Sequence, residues 1–271
     1  MTDFGSADGY VGTMCGVMLD IAPDARLVDI SQQINPQDVR QAAYVLYTAY
    51  PFFPQRTVHL VVVDPGVGSE RRAIAMKTPS GQFVGPDNGV FSYVLAREPA
   101  EAVVELANPR YQLSPVSHTF HGRDIFAPAA AHLAAGVPIE DLGPAVDDPL
   151  VFPVPRLEID SGAIRGEVLH TDRFGNVITS IGSLLWEGDE LVLDPAFGDG
   201  AQSVRFRAAR ATVEVGRQTL RSVHRTYADV ELGEPLALVG SEGHLEIAVR
   251  QGDAAMQLAL HPGDHIELHW N

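Results

Sequence analysis

The sequence predicts an α/β N-terminal domain, with a mostly parallel sheet and helices on both faces, followed by an all-β, barrel-like C-terminal domain. Two observations lead to this prediction. Strand-like and helix-like runs alternate in the first half, as they do in parallel sheets covered by helices. After the proline-rich stretch DDPLVFPVPRLEIDSG, short alternating strands separated by Gly and Asp turns take over. We therefore predict an α/β domain over residues 1–150, a linker over 151–162 and a barrel-like domain over 163–271.

Hydrophobic periodicity predicts the elements of the first half. Residues 26–30 and 58–63 are apolar runs typical of buried strands, and the second of them, VHLVVV, leads directly into DPGVG. Residues 38–50 carry apolar side chains at helical spacing. A further helix is expected to begin near Asp124, whose side chain can cap it, with residues 125–133 as its body.

The second half contains short strands and no long helical pattern. The predicted strands are residues 164–169, 203–208, 211–215, 236–239, 245–248 and 265–270. Strands of this length, connected by Gly and Asp turns, predict a small antiparallel barrel or sandwich.

Composition narrows the class of protein. With 271 residues, 45% of them hydrophobic, and one cysteine, the chain can form globular cores and cannot be a disulfide scaffold. The 19 basic and 35 acidic residues give a net charge of −16 without a basic cluster, which disfavours nucleic acid as a partner. An acidic chain instead favours a small cationic substrate.

Targeting signals are not found in the sequence. No run approaches the roughly eighteen apolar residues of a membrane span, and the N-terminus lacks the features of a secretory signal. We therefore expect a cytoplasmic protein without a membrane partner. Cys15 lies in the apolar stretch GTMCGVML and is interpreted as a small buried hydrophobe.

Five short segments are rich in groups used for catalysis or binding. They are DFGSADGY from residue 3, DPGVGSERR from residue 64, GPDNG from residue 85, FHGRD from residue 120 and DRFGNVIT from residue 172. DPGVG and GPDNG also have a purely structural interpretation, because these residue types form tight turns. His121 precedes an Arg-Asp pair that can fix its ring, and a hydrogen-bonded structural His is the alternative.

A metal site is another alternative for these segments. His118 and His121, together with Asp64, Asp87 or Asp124, would form a His/carboxylate set. Residues 118 and 121 fall in a predicted loop that does not make them converge, so we predict no metal. The glycines of DPGVG match neither a dinucleotide nor a P-loop motif, so no such cofactor is expected.

Taken in order, the motifs identify a known family. The segments TDFGSADGYVGTMCG, INPQDVRQAAYVL, VVVDPGVGSERR, GPDNG, TFHGRDIFAPAAAHLA and DRFGNVITSI closely resemble those of the S-adenosyl-L-methionine (SAM) hydroxide adenosyltransferases. These SAM hydrolases are relatives of the enzymes that fluorinate or chlorinate the same substrate. The resemblance covers essentially the whole chain.

The resemblance implies a homotrimer, with SAM bound between the first domain of one subunit and the second domain of its neighbour. It implies attack of water at C5′ of SAM, which gives adenosine and L-methionine without a cofactor. The Asp-Arg-His triad of the family falls on Asp64, Arg71 and His121, since the family's seven-residue step selects Arg71 and not Arg72. Halogenases carry Tyr and a halide-binding Ser where this chain has His121 and Gly122, so halide is disfavoured as the nucleophile.

The residue types of the triad also suit this chemistry. A sulfonium departs as a neutral thioether and needs no general acid, so the difficulty lies in the nucleophile. Bulk water has a pKa of about 15.7 and must be oriented in line with the C5′–S bond. His121 can accept a proton or hold the water, Asp64 can fix the water or the His tautomer, and Arg71 can stabilise hydroxide character.

The resemblance also implies the substrate contacts. Asp3 and Phe53 match ribose contacts, Phe120 lines the C5′ region next to Gly122, and Phe174 and Asn176 match adenine contacts. The residues that match contacts to the methionine end are Asp8, Asp172 and Ser241. Gln37 replaces a Trp of the halogenases and Glu242 replaces an Arg.

The start of the chain departs from the family. Relatives carry an apolar strand before TDFG, whereas Met1 here directly precedes Thr2. We expect a chain extended upstream in the reading frame to be more stable and more active, because a missing central strand exposes its neighbours' edges.

Two other functions stay open at this point. A SAM-dependent halogenase would make 5′-halo-adenosine in a halide-dependent reaction. A non-catalytic protein that binds SAM or adenosine would keep the pocket without turnover, and product analysis together with calorimetry separates it from an enzyme.

Overall fold

The computed structural model describes residues 1–197 and 202–270. The chain divides into two compact units, Met1–Phe152 and Pro153–Asn271. The helices are α1 (Tyr10–Ile21), α2 (Val39–Ala49), α3 (Ser92–Arg97), α4 (Ala127–Ala134) and α5 (Ala254–Leu258). The strands of the first unit are β1 (Val58–Leu60), β2 (Ala73–Thr78), β3 (Gly81–Pro86) and β4 (Ala102–Glu105).

The sheet of the first unit is mixed. In its described residues the strand order is β1-β3-β2-β4, with β1 parallel to β3 and with β2 antiparallel to both β3 and β4. The prediction of a mostly parallel sheet is therefore not confirmed. The physical reason is the two-residue connection between β2 and β3, which permits only an antiparallel hairpin.

The predicted strand over residues 58–63 is found in part, since β1 ends at Leu60, and β1 stands at one end of the four-stranded sheet. Val61, Val62 and Val63 are almost fully buried, and Val62 forms a parallel bridge with Thr2. Because parallel segments present their carboxyl ends at one edge, this bridge brings the residue after Thr2 and the residue after Val63 to the same edge. Those two residues are Asp3 and Asp64.

Two helices of the first unit illustrate a confirmed and a wrong prediction. α2 begins after Asp38, whose carboxylate accepts a hydrogen bond from the Gln41 N–H at 2.9 Å, as the helical spacing predicts. Asp124 does not cap a helix. It lies inside a π-helical turn, Gly122–Phe126, that precedes α4, and its buried carboxylate accepts a hydrogen bond from the Ser117 N–H.

The predicted strand over residues 26–30 is wrong. This segment has no regular secondary structure, and Leu27 and Val28 are 39% and 66% exposed. An apolar run forms a buried strand only where a neighbouring strand pairs with it, and none of the described strand pairings includes these residues.

The second unit is all-β apart from short helices, as predicted. Its strands are β5 (Leu157–Asp160), β6 (Ala163–Thr171), β7 (Val177–Thr179), β8 (Leu184–Glu187), β9 (Glu190–Leu193), β10 (Val204–Arg207), β11 (Thr212–Val215), β12 (Gln218–Arg221), β13 (Val223–His224), β14 (Pro235–Val239), β15 (Leu245–Val249) and β16 (His265–His269). The described strands form a nine-stranded sheet in the order β12-β11-β16-β6-β7-β15-β14-β13, with β5 paired to β6. Only Ser222 separates β12 from β13, so the two ends of the sheet meet and the barrel is nearly closed. β10, β9 and β8 form a separate sheet.

No helix within the described residues is long and apolar enough to cross a membrane.

Candidate active site

Asp64 and Arg71 form a buried ion pair directly after the buried residues 61–63. The Arg71 Nε donates to Asp64 Oδ1 at 2.9 Å and Oδ2 at 3.0 Å, and the Arg71 Nη2 also donates to Oδ2. The two side chains are only 10% and 5% exposed for Arg71 and Asp64. The guanidinium also stacks over the ring of Phe126, 5.1 Å from its centre. The Arg71 guanidinium is therefore held in place by the Asp64 carboxylate and by the Phe126 ring.

Arg71 connects Asp64 to His121. Its Nη2 lies 2.8 Å from Nδ1 of His121. A guanidinium only donates, so Nδ1 accepts this hydrogen bond and a neutral His121 carries its proton on Nε2. Arg71 therefore sets the tautomer of His121. We had expected that Asp64 could fix this tautomer directly, but Asp64 bonds to Arg71 and Arg71 contacts the ring.

The environment keeps His121 neutral. Burial lowers the pKa of His121 first, and the positive charge of Arg71 lowers it further, whereas the charges of Asp64 and Asp124 and the Ser117 backbone oppose the shift. The net pKa lies below the ordinary value for a histidine. His121 is therefore uncharged at neutral pH.

The turn between Asp64 and Arg71 is held by close packing. Gly68 has a φ of 78°, and a Cβ at this position would lie 2.5 Å from the His118 carbonyl oxygen. Only glycine permits this approach between the DPGVG turn and the segment that carries His121. The turn interpretation of DPGVG is therefore correct, and the turn also positions the ion pair.

The GPDNG turn supports the same strand end. The Asn88 Nδ2 donates to the Val63 carbonyl oxygen at 2.9 Å, next to Asp64. Asp87 accepts from the Arg72 Nε at 2.7 Å and from the Leu150 N–H at 2.7 Å. Arg72 thus forms an ion pair with Asp87 that is separate from the pair between Arg71 and Asp64. The role of Asn88 could not be predicted from the sequence, because the carbonyl that it binds lies 25 residues away.

An aromatic cluster lies beside His121. The rings of Phe4, Tyr10 and Phe120 lie 5.2 to 6.0 Å apart, centre to centre. Phe120 was predicted from the sequence, whereas Phe4 and Tyr10 were missed because aromatic side chains inside a motif give no signal of their own. Gly122 is buried here, and a Cβ on it would lie 3.1 Å from the Met14 Sδ.

Asp3 is oriented by the main chain of Gln37. The Gln37 N–H donates to Asp3 Oδ2 at 2.8 Å, and Gln37 has a φ of 67°. Gln37 therefore acts on the site through its backbone. Asp8 is exposed in the loop before α1.

Phe53 is placed apart from the triad. Its ring lies 5.4 Å from that of His59, and both residues line a cavity of ≈ 310 Å³ to which Asp64, Arg71 and His121 do not contribute. Burial lowers the pKa of His59 to about 4, so this histidine is neutral.

In the second unit, Asp172 folds a compact turn. Its Oδ1 accepts the N–H groups of Phe174 and Asn176, both at 2.8 Å, and its Oδ2 accepts the Asn176 Nδ2 at 3.0 Å. Gly175 has a φ of 83° and packs against the Asp253 carboxyl. The turn buries Asn176 and leaves Phe174 76% exposed. It therefore presents an aromatic face beside a fixed amide.

Ser241 and Glu242 lie in the exposed turn between β14 and β15. The Ser241 hydroxyl donates to Glu242 Oε1 at 3.3 Å, and both residues are exposed. This turn presents a hydroxyl and a carboxylate to solvent.

The His/carboxylate set considered from the sequence does not assemble. His118 is exposed and contributes its backbone carbonyl to the packing of Gly68. Within the described residues, the cluster with metal-ligand spacing is Glu214, Glu267 and His269 in the second unit.

The chain therefore combines a mixed α/β unit, which carries a hydrogen-bonded Asp-Arg-His triad, with a barrel-like β unit. The chain matches the SAM hydroxide adenosyltransferase N-terminal domain over residues 1–143 and the C-terminal domain over residues 166–267. It belongs to the SAM hydroxide adenosyltransferase family.

Relatives and solved structures agree with this assignment. An (R)-S-adenosyl-L-methionine hydrolase of Salinispora tropica is 41% identical over 271 residues, which cover 98% of this chain and 95% of that protein. A fluorinase of Actinoplanes sp. is 27% identical over 291 residues, covering 97% and 94%. The crystal structure of an uncharacterized conserved protein from Thermotoga maritima has a TM-score of 0.86 and 39% identity, and the match covers 99% and 98% of the two chains.

Proposed function

We propose that this enzyme hydrolyses SAM to adenosine and L-methionine by attack of a water-derived oxygen at C5′. The hydrolases at about 40% identity support this reaction, and the fluorinases are more distant relatives. The observation that carries the proposal is the arrangement in which Arg71 joins Asp64 to a neutral His121.

The triad is suited to stabilising hydroxide. Arg71 places a fixed positive charge in a buried site, where it acts more strongly than in water. His121, with Nδ1 occupied by Arg71, presents an Nε2–H that can donate to the attacking oxygen. Asp64 holds the guanidinium and prevents it from rotating away.

The bonds and charges of the step balance without a cofactor. Hydroxide, formed from water by loss of a proton to solvent, forms the O–C5′ bond while the C5′–S bond breaks. The electron pair of that bond returns to sulfur, so the sulfonium becomes the neutral thioether of methionine. No metal or organic cofactor is required, and chelator resistance tests this part of the proposal.

The substrate contacts implied by the family resemblance complete the proposal. In this proposal Asp3, held by Gln37, binds the ribose hydroxyls. Phe53 is assigned to the ribose by the resemblance alone, since it lines the separate cavity beside His59. Phe120 and Gly122 line the C5′ region. In the second unit Phe174 stacks on adenine, with Asn176 bonding to its edge. Asp8, Asp172 and Ser241 bind the methionine end.

The assembly belongs to the same proposal. In a homotrimer, the barrel-like unit of one subunit would complete the site on the α/β unit of its neighbour. The expected location is the cytoplasm, where SAM is available, and neither nucleic acid nor a membrane takes part. Light scattering of the purified protein tests the trimer.

Halogenation is disfavoured by packing at Gly122. A serine at this position, which halogenases use to bind halide, would bring its Cβ to 3.1 Å from Met14 and 3.3 Å from Phe120. Incubation with SAM and either fluoride or chloride, followed by mass detection, separates the reactions. Adenosine without 5′-halo-adenosine supports hydrolysis, whereas halide-dependent 5′-halo-adenosine overturns it.

A further inference from the structure

Glu246 is a buried carboxylate that the proposed function does not use. It lies on β15 between Ile178 of β7 and Leu238 of β14, and it is 7% exposed. Glutamate is almost never buried without a charged partner. Among the ion pairs of the described residues, none includes Glu246. A cationic ligand would give this carboxylate the counter-charge that the described ion pairs do not supply.

The segments predicted to bind the methionine end gather around this carboxylate. A Cβ on Gly240, which precedes Ser241, would lie 2.6 Å from Glu246 Oε2. Tyr227 donates its hydroxyl to Oε1 at 2.6 Å. Burial raises the pKa of Glu246 first, and the negative charge of Asp172 raises it further, while the Tyr227 hydrogen bond opposes the shift. Asp172 is therefore within electrostatic range.

Asp172 alone is a weak acceptor for a substrate ammonium. Three hydrogen bonds from its own turn already occupy its two oxygens. A carboxylate offers about four acceptor positions, so little capacity is left. Glu246, in contrast, uses one oxygen for Tyr227, and no described hydrogen bond engages the other.

We propose that Glu246 is a specificity residue that, together with Asp172, selects the cationic α-amino group of the substrate. The inference rests on the proposed function, because it assigns an additional residue to the same site. A bound ammonium relieves the repulsion between the two carboxylates and supplies the missing counter-charge. Tyr227 positions Glu246 by holding Oε1, which leaves Oε2 for the ligand.

The test compares SAM with the sulfonium analogue that lacks the α-amino group. For the full-length protein we measure kcat and KM for both compounds with the wild type, Glu246→Gln, Glu246→Asp and the exposed control Glu214→Gln. We expect Glu246→Gln to raise KM for SAM by about 10- to 100-fold, with little change for the analogue. Glu246→Asp should restore part of the preference, and Glu214→Gln should behave like the wild type.

Each outcome decides a separate claim. Equal losses for SAM and the analogue, or an unchanged preference in a folded Glu246→Gln variant, would overturn the role of Glu246. If Glu246→Gln does not fold, Tyr227→Phe provides the test, because releasing Oε1 should reduce the preference for SAM. If the wild type binds SAM without releasing adenosine, the proposed reaction fails. The affinities of both compounds, measured by calorimetry, then still test the preference.

Discussion

The triad of the first unit and the 172–176 turn of the second unit are built in opposite ways. The triad joins residues 7 and 50 positions apart, through a guanidinium that lies between the buried carboxylate of Asp64 and the half-buried ring of His121. The turn is local, since the Asp172 carboxylate accepts hydrogen bonds from residues two and four positions ahead, and it exposes Phe174. A buried long-range network suits groups that must hold their charge during chemistry, whereas a local turn suits recognition at a surface.

The largest effect should come from removing Arg71. Arg71→Ala leaves Asp64 buried without a partner, which costs about 3–5 kcal/mol of stability, and removes the charge that stabilises hydroxide, which costs about 10³-fold in kcat/KM. Urea unfolding and steady-state kinetics measure both. Arg71→Lys keeps the charge and should fold with low activity. The neighbouring Arg72→Ala is the control, since Arg72 pairs with Asp87 and not with the triad. Equal kinetic losses for Arg71→Lys and Arg72→Ala would contradict the account.

Acidic pH should reduce activity through His121. Protonation of Nδ1 breaks its contact with Arg71, so the active form is the neutral one. Because the pKa of His121 is lowered, protonation of His121 should reduce kcat/KM only below the ordinary histidine range, by about tenfold per pH unit. The unfolded chain binds this proton more readily, so stability is also lost as pH falls below about 6.5. A pH–rate profile that falls well above pH 6.5 would rule out this assignment.

A smaller effect on activity should follow from removing the exposed phenyl ring of Phe174 in the second unit. Phe174→Ala removes the exposed ring that we propose to stack on adenine, so KM for SAM should rise about tenfold. Stability should change by less than about 0.5 kcal/mol, because the ring is exposed. Leu185→Ala, at an exposed apolar residue of β8, is the matched control. A lowered melting temperature with unchanged KM would show that Phe174 has a structural role.

The smallest effect on activity should come from Gly122→Ser. The added side chain must displace Met14 or Phe120, at a cost of about 1–3 kcal/mol. Hydrolysis should slow by a few-fold, and chloride should yield no halogenated product. Thermal unfolding and mass detection of products measure these outcomes, and 5′-chloro-adenosine from the variant would show that Gly122 is what excludes halide.

Local patterns predicted much of the fold. The helix over residues 38–50 was found with its cap at Asp38, and all six predicted strands of the second unit are present. The strand over residues 26–30 was wrong, because no described strand pairs with it, and the mostly parallel sheet was not confirmed, because β2 and β3 form an antiparallel hairpin. Periodicity reports which face a segment buries and not which segment pairs with it.

In the candidate site, too, contacts between distant segments could not be predicted from the sequence. The family resemblance identified Asp64, Arg71 and His121, and the structure brings Arg71 into contact with both of the others. The bridging position of Arg71, the support from Asn88 and the burial of Glu246 depend on contacts between distant segments. The predicted helix cap at Asp124 was wrong. An Asp before a helix usually caps it, whereas Asp124 lies inside a π-helical turn and its carboxylate accepts the Ser117 N–H.

The most direct test of the reaction is the fate of oxygen from the solvent. The purified protein and a His121→Ala variant are each incubated with SAM in ¹⁸O-water, with and without a chelator. The products are separated by chromatography and their masses are measured by mass spectrometry. We expect adenosine with ¹⁸O at its 5′ position, formed equally with and without chelator and about 10²- to 10⁴-fold more slowly by the variant. Bound SAM without adenosine, or equal turnover by His121→Ala, would contradict hydrolysis by this triad.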